Sequence, residues 1–308
     1  MNAMNYLKFF RKFIKNIPYL YKEELLFKNH LEVGTKERHF DSEFYNSGMK
    51  VLVVSKIFMR NFGDRLGYHN VTMLTSLIPN VTCVDFDDPE VLEKNPADYD
   101  LVIIGTGNSI YHNMISEKFY DYLSKANHVV GICGFQYYEM LEKNKELFER
   151  CINQFDKIFI RYEKDIHFLK KLNISTEHVT HLGDWLIMLF PITSWNKDET
   201  LYITHKEPFI RNALDLYIQD IQTYRHVHSN RLHTLLCAFC SAEKVSYGEQ
   251  FDKRKNIYSG KFEGLVKDVF GETYQPNEYF VVNKQSVLNY RNKVSNNFLT
   301  LVDYIKSI

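Results

Sequence analysis

The chain has 308 residues, 45% of them hydrophobic, and 38 basic side chains against 38 acidic ones, for a formal charge of zero. That length exceeds one ordinary small domain and suits two, each with its own core. Balanced charge removes the field that draws a protein to nucleic acid, and no run of about 18 apolar residues is present to cross a membrane. The five cysteines, Cys83, Cys133, Cys151, Cys237 and Cys240, lie mostly in apolar runs with no framework spacing, as expected of reduced thiols in a cytosolic protein.

Residues 1–48 differ in pattern from the remainder of the chain. Lys8, Arg11, Lys12 and Lys15 fall on one face of a predicted helix and Leu7, Phe10, Phe13 and Ile14 on another. Such a basic amphipathic helix can lie on an anionic membrane surface, or dock on its own domain through the aromatic face. Pro18 ends it, a second helix is expected through Lys22 to His30, and 36–48 reads as a polar linker.

From Met49 the pattern becomes strand, turn, helix. Met49–Ser55 is a continuous apolar run of the kind buried on both faces of a parallel sheet. It leads to Asn61-Phe-Gly-Asp64 and a helix expected over Tyr68–Leu77. Strands are predicted at Val81–Phe86, Asp100–Gly105, His128–Cys133, Lys157–Arg161 and Val179–Leu182. Helices are predicted at Ser116–Lys125, Tyr138–Arg150 and Lys164–Leu172. The third strand ends in Gly105-Thr-Gly107-Asn108, and glycine turns at strand ends are where such sheets bind ligands. Asp85 reads as part of an acidic loop, because the glycine pattern does not suit a dinucleotide site.

After Gly183-Asp184, the segment Trp185–Pro191 reads as a crossing between domains. The second unit begins at Leu201–Thr204, followed by a helix over Phe209–Ile218. Tyr224–His228 is then a strand that runs into a helix whose apolar stripe is Leu232, Leu235, Leu236 and Phe239. Ser229 or Asn230 can cap that helix. Its N-terminus, with Arg231 and His233 in the first turn, offers backbone donors, a permanent cation and a titratable ring to an anion. Taken alone, the stretch reads better as a surface helix with a cap and two solvated side chains. Cys237 and Cys240 fall inside the apolar stripe, so core packing is expected of them rather than redox or zinc chemistry. His226 and His228 share a strand face, but no carboxylate is placed near them, and no metal is expected. Lys244–Tyr247 is a strand followed by Gly248-Glu249-Gln250, residues 252–260 form a loop, and Val287–Ile305 closes the chain as a helix.

The expected architecture is α/β. Two Rossmann-like domains face a cleft in a GT-B-like arrangement, with an added N-terminal helical segment. The divisions are 1–48 for that segment, 49–190 for the first domain, 191–285 for the second, and 286–308 for a last helix that can return to the first.

Four features occur in order: Asn61-Phe-Gly-Asp64, Ile103-Ile-Gly-Thr-Gly107, Phe159-Ile-Arg161 with Glu163 and Asp165 after it, and Ser229-Asn-Arg-Leu-His233. Together they resemble the polysaccharide pyruvyl transferase family, over roughly residues 49–250. Where that family often has three consecutive glycines, this chain has Gly105-Thr-Gly107. The resemblance implies transfer of the enolpyruvyl group of phosphoenolpyruvate to a sugar of a surface polysaccharide or its precursor, closing a pyruvate ketal across two hydroxyls.

The candidate catalytic residues are His233, Arg231 and Asp64. The resemblance implies that the donor binds through Arg231, His233 and Arg161; the further donor candidates are Ser229, Asn230, Leu232, Gly248 and Glu249, and the acceptor candidates are Asn61, Gly63, Gly105, Gly107 and Asn108. His233 is the candidate general acid, or the group that neutralises the departing phosphate, and Asp64 the candidate base for the acceptor hydroxyl. Other readings stand beside these: Asp64 as a local helix cap, and Arg161 as a surface ion pair with Glu163 or Asp165. No cofactor is implied beyond the donor substrate. The partners implied are a carbohydrate acceptor, free or lipid-linked, and the inner face of the cytoplasmic membrane through residues 6–15. Two other functions use the same features: a GT-B glycosyltransferase with a nucleotide sugar, and a non-catalytic subunit of a polysaccharide complex.

Overall fold

A computed structural model describes residues 48–55, 61–75, 80–85, 91–105, 107, 109–204, 214–252 and 257–308. The helices expected before residue 48, and Asn108, lie outside them.

A six-stranded sheet organises the first half. Its strands are β1 (Lys50–Ser55), β2 (Asn80–Asp85), β3 (Leu101–Gly105), β4 (Val129–Cys133), β5 (Lys157–Ile160) and β6 (Val179–His181), in the order β2-β1-β3-β4-β5-β6. Every pairing is parallel. The apolar runs predict this, because a parallel strand is covered on both faces, and β3 and β4 are buried throughout.

Alternation along each strand divides the core in two. Val51, Val53, Leu101, Ile103, Ile132 and Phe159 point to one side. Leu52, Val54, Val102, Ile104, Ile158 and Ile160 point to the other. The helices of this half are α1 (Phe62–Thr75), α2 (Glu117–Leu123), α3 (Tyr138–Lys143), α4 (Lys145–Ile152) and α5 (Glu163–Lys171). Phe119 of α2, Phe148 of α4 and Phe168 of α5 close the second side, while Phe62 and Leu66 of α1 enter the first.

Several elements differ from expectation. α1 begins at Phe62, not Tyr68, because Asn61 caps it. The Asn61 side chain accepts from the N–H groups of Gly63 at 2.9 Å and Asp64 at 3.4 Å, and its carbonyl takes the first helical bond, from Arg65. The helix expected over Tyr138–Arg150 is broken at Asn144 into α3 and α4. Trp185–Leu189 is a short 3-10 turn capped by Asp184.

The second half holds β7 (Lys197–Ile203), β8 (Tyr224–Ser229), β9 (Lys244–Tyr247) and β10 (Phe280–Val281), in the order β10-β9-β8-β7, with only β10 antiparallel. Its helices are α6 (Leu214–Thr223), α7 (Leu232–Phe239), α8 (Lys261–Phe270) and the long α9 (Lys284–Lys306). Neither α8 nor β10 is among the elements expected from the sequence. The segment expected as a loop carries a small antiparallel pairing of Phe251–Asp252 with Ile257–Tyr258.

Strands β7, β8 and β9 step in one direction, so right-handed crossovers put α6 and α7 on the same face. The Cys237 thiol of α7 indeed reaches the Ile218 carbonyl of α6. The opposite face leaves Tyr202 and Val281 exposed. Among the described residues the second half is thus a smaller sheet with its helices on one side.

Both Cys237 and Cys240 are buried, as the stripe predicts. So are Val287, Tyr290, Val294, Phe298, Leu301 and Ile305 along α9. α9 starts against α7, where Lys284 Nζ donates to the Phe239 carbonyl, and then reaches the large sheet. There Asn297 donates to the His181 carbonyl at 2.7 Å, and the Tyr304 ring lies 6.4 Å from that of Phe159. A single buried cluster runs from the large sheet through α1, α7 and α9 to the small one. No helix among the described residues is long and apolar enough to cross a membrane.

Candidate active site

In the large sheet β1 and β3 are neighbours, and β2 lies beyond β1. Chain connections therefore leave β1 and β3 in opposite directions, opening a crevice at their C-terminal ends. Asn61–Asp64 follow β1 there and Gly107 follows β3. Arg161 follows β5 and Asp184 follows β6 at the same edge. From the small sheet, Ser229–His233 follow β8 and Gly248–Gln250 follow β9.

These two edges meet. The His233 ring lies directly on Gly63, where an added Cβ would come within 1.6 Å of Nδ1. On its other side, His233 Nε2 is 3.3 Å from Asp184 Oδ2. Arg161 Nε is 3.4 Å from that same Asp184 oxygen. Gly107, with φ of 75°, leaves room for Arg161: its missing Cβ would stand 3.4 Å from Nη2 and 3.9 Å from Asp64 Oδ1.

Asp184 is fully buried. Burial alone would raise its pKa, but Arg161 and His233 outweigh that and hold it down at about 2. The Asp184 N–H donates to the Tyr290 hydroxyl at 2.6 Å, and its side chain accepts from the Leu186 N–H. A charged carboxylate is thus fixed between a guanidinium and an imidazole. Arg161 is also buried; burial works against its charge, yet Asp184, Tyr162 and Asp64 more than offset that and raise its pKa. The surface pair of Arg161 with Glu163 or Asp165 does not form. Asp165 turns inward, accepting from the Tyr138 hydroxyl and the Phe135 N–H. Burial pushes the Asp165 pKa up to about 6.

Asp64 is half-buried in the first turn of α1, and its charge acts on Arg161. The local capping role falls to Asn61 instead. The cap expected of Ser229 or Asn230 is not made either. Ser229 Oγ takes the Arg231 N–H at 2.9 Å, and Arg231 itself occupies the cap position in extended conformation. Asn230 is held by the Ile203 carbonyl and by the Gln250 side chain. Gly248 lies against it, since a Cβ there would come within 2.1 Å of Asn230 Oδ1. Glu249 accepts from the Ser259 hydroxyl at 2.6 Å. Leu232 is buried in the core, and Gly105 packs against the Ile132 carbonyl of β4, so both serve packing here.

Two residues absent from the sequence expectations join this place. One is Asp184. The other is Lys261, at the first position of α8 after Gly260, whose φ is 63°. Burial, reinforced by Arg161 and Arg231 against the pull of Asp64 and Glu249, lowers the Lys261 pKa to about 8. The only sequence signal for Lys261 is a lysine after a glycine at the head of an amphipathic segment. For Asp184 the signal is an acid between Gly183 and Trp185.

Arg161, Arg231 and Lys261, interleaved with Asp64 and Glu249, suit an anion bearing more than one charged group. Among the described residues, no group of three His, Cys, Asp or Glu side chains is placed to hold a metal ion. No family model matches the chain, and no curated protein matches it in sequence.

Proposed function

We propose that this protein is a pyruvyl transferase of GT-B-like arrangement, forming a cyclic pyruvate ketal on a sugar from phosphoenolpyruvate. The observation that carries the reading is that Arg161 and Arg231, which follow strands of different sheets, both act by charge on Lys261, while Asp64 lies beside Arg161 at Gly107. Phosphoenolpyruvate presents a carboxylate and a phosphate a few bonds apart. Two guanidiniums and an ammonium match that charge, and the Arg fork suits either group.

In this reading Arg161, held by Asp184, and Arg231 grip the donor. Protonation of the methylene carbon makes an oxocarbenium-like centre at C2. One sugar hydroxyl adds to it. Phosphate then leaves with its C–O bond electrons, and the second hydroxyl closes the ring. Asp64 receives a hydroxyl proton. His233, with Nε2 at Asp184 and Nδ1 against Gly63, acts as the positioning residue that locks the two edges together. The acceptor belongs to a surface polysaccharide or its lipid-linked precursor, and residues 6–15 keep the protein at the inner membrane face near it.

The test is incubation with phosphoenolpyruvate and a panel of methyl hexopyranosides, each offering pairs of hydroxyls that a ketal can bridge. Release of inorganic phosphate with a matching ketal product in the mass spectrum supports the reading. Product from a nucleotide sugar, with none from phosphoenolpyruvate, replaces it with a glycosyltransferase.

A further inference from the structure

We propose that Lys261 is the general acid of this site, its ammonium delivering the proton to the methylene carbon of phosphoenolpyruvate. The proposal rests on the assignment of pyruvyl transfer and deepens it.

The two residues before Lys261 are tied one to each half. Ser259 is bonded to Glu249 of the small sheet's edge, and the Gly260 carbonyl accepts from Lys164 Nζ of α5. Lys164 belongs to the first turn after Arg161. The head of α8 is therefore pinned between Glu249, which follows β9, and Lys164, which follows Arg161. The turn depends on Gly260, whose φ of 63° favours glycine.

The other groups present fit the role less well. An arginine does not give up its proton near neutral pH. Both nitrogens of His233 already have protein neighbours, Asp184 at 3.3 Å and the Gly63 backbone. Asp64 is needed in ionised form to hold the cations. Lys261 feels the charges of Arg161, Asp64, Arg231 and Glu249, and its pKa of about 8 leaves the ammonium predominant, yet with a mobile proton, at neutral pH.

Atoms and electrons balance in this step. The C2–C3 electron pair takes the proton from Lys261 Nζ and becomes a C–H bond, leaving C2 cationic. The neutral amine then takes the proton of the first attacking hydroxyl and is an ammonium again. The second hydroxyl's proton departs through Asp64 with the phosphate. No oxidant or reductant is consumed.

The experiment compares Lys261→Arg and Lys261→Cys with the parent, using phosphoenolpyruvate and the methyl hexopyranoside that the parent accepts. Lys261→Arg keeps a cation, so phosphoenolpyruvate affinity by calorimetry stays within a few fold. Turnover falls about a hundredfold or more, the usual scale of a lost general acid. In the parent, kcat/KM falls as pH rises through about 8, because the ammonium is then lost; in Lys261→Arg that limb is absent. Treating Lys261→Cys with 2-bromoethylamine restores an amine and with it the turnover and the limb, the parent treated alike being the control. A Lys261→Arg protein that turns over near the parent rate with the same alkaline limb overturns the proposal. So does a variant that loses only affinity and keeps its rate at saturating donor. Those outcomes leave pyruvyl transfer intact; a parent that releases no phosphate from phosphoenolpyruvate with any acceptor sinks both.

Discussion

Asp184 Oδ2 lies 3.3 Å from His233 Nε2, so a carboxylate at the end of the large sheet reaches the first turn of a helix that belongs to the small one. The same oxygen faces Arg161 Nε at 3.4 Å. One buried charge therefore ties together a candidate donor arginine, the histidine and the two halves of the chain.

Replacing that charge tests its weight. In Asp184→Asn the Arg161 guanidinium stays buried without its counter-charge, and breaking a buried pair this way costs about 3–5 kcal/mol. The direction of the shift sets the pH dependence. A carboxyl held at about 2, against an ordinary 3.8, contributes stability that is full above 3.8 and lost as pH falls through about 2. Urea denaturation between pH 6 and pH 2 should show the parent losing more stability on acidification than the variant. Parallel curves would mean that Asp184 is not the ionised partner described.

Gly63 is predicted to be intolerant of any side chain. Gly63→Ala puts a Cβ within 1.6 Å of His233 Nδ1 and must displace the ring. Overpacking of this kind costs typically about 1–3 kcal/mol. Because the clash is with one side chain, His233→Ala in the same chain should recover much of that loss, and a double-mutant cycle on melting temperature measures the coupling. Additive effects would place the ring elsewhere.

Tyr138 is predicted to matter more in alkali than in acid. It donates to Asp165, whose pKa burial raises to about 6 from 3.8. A raised carboxyl favours the protonated native state, so this group makes stability decline as pH rises from 3.8 through about 6. Tyr138→Phe removes a donor that helps the ionised form, steepens the decline and extends it upward. Stability of the two proteins at pH 5 and pH 8 is the check; a pH-independent loss would reduce Tyr138 to packing.

The large sheet was legible because its strands are apolar without interruption, and a run such as Leu101–Gly105 has no other comfortable place. The last helix was legible for the same reason, its buried face spaced from Val287 to Ile305. The small half was less so. Phe262, Leu265 and Val266 of α8 lie among Gly260, Gly264 and Gly271, and those glycines read as turn rather than helix. α1 was placed late for a like reason, since Gly63 hides a helix that Asn61 in fact caps.

The candidate site was legible, as a set of residues brought to facing strand ends, where local motifs carry it, at Asn61–Asp64, Arg161 and Arg231–His233. It was not legible where a partner is distant in sequence. Asp184 matters through Arg161 and His233, and Lys261 through residues of both halves, and no local pattern announces either pairing. Asp165, read beside Arg161 as a surface acid, is drawn away by Tyr138 for the same non-local reason.

The most direct test of the central claim is calorimetric titration of the protein with phosphoenolpyruvate, beside the Arg231→Ala variant. A saturable isotherm is predicted for the parent, with affinity in the variant weaker by about 2–4 kcal/mol, the scale of a charge-assisted contact removed from a desolvated anion. Equal affinity in both proteins, or binding of a nucleotide sugar but not of phosphoenolpyruvate, would contradict the account.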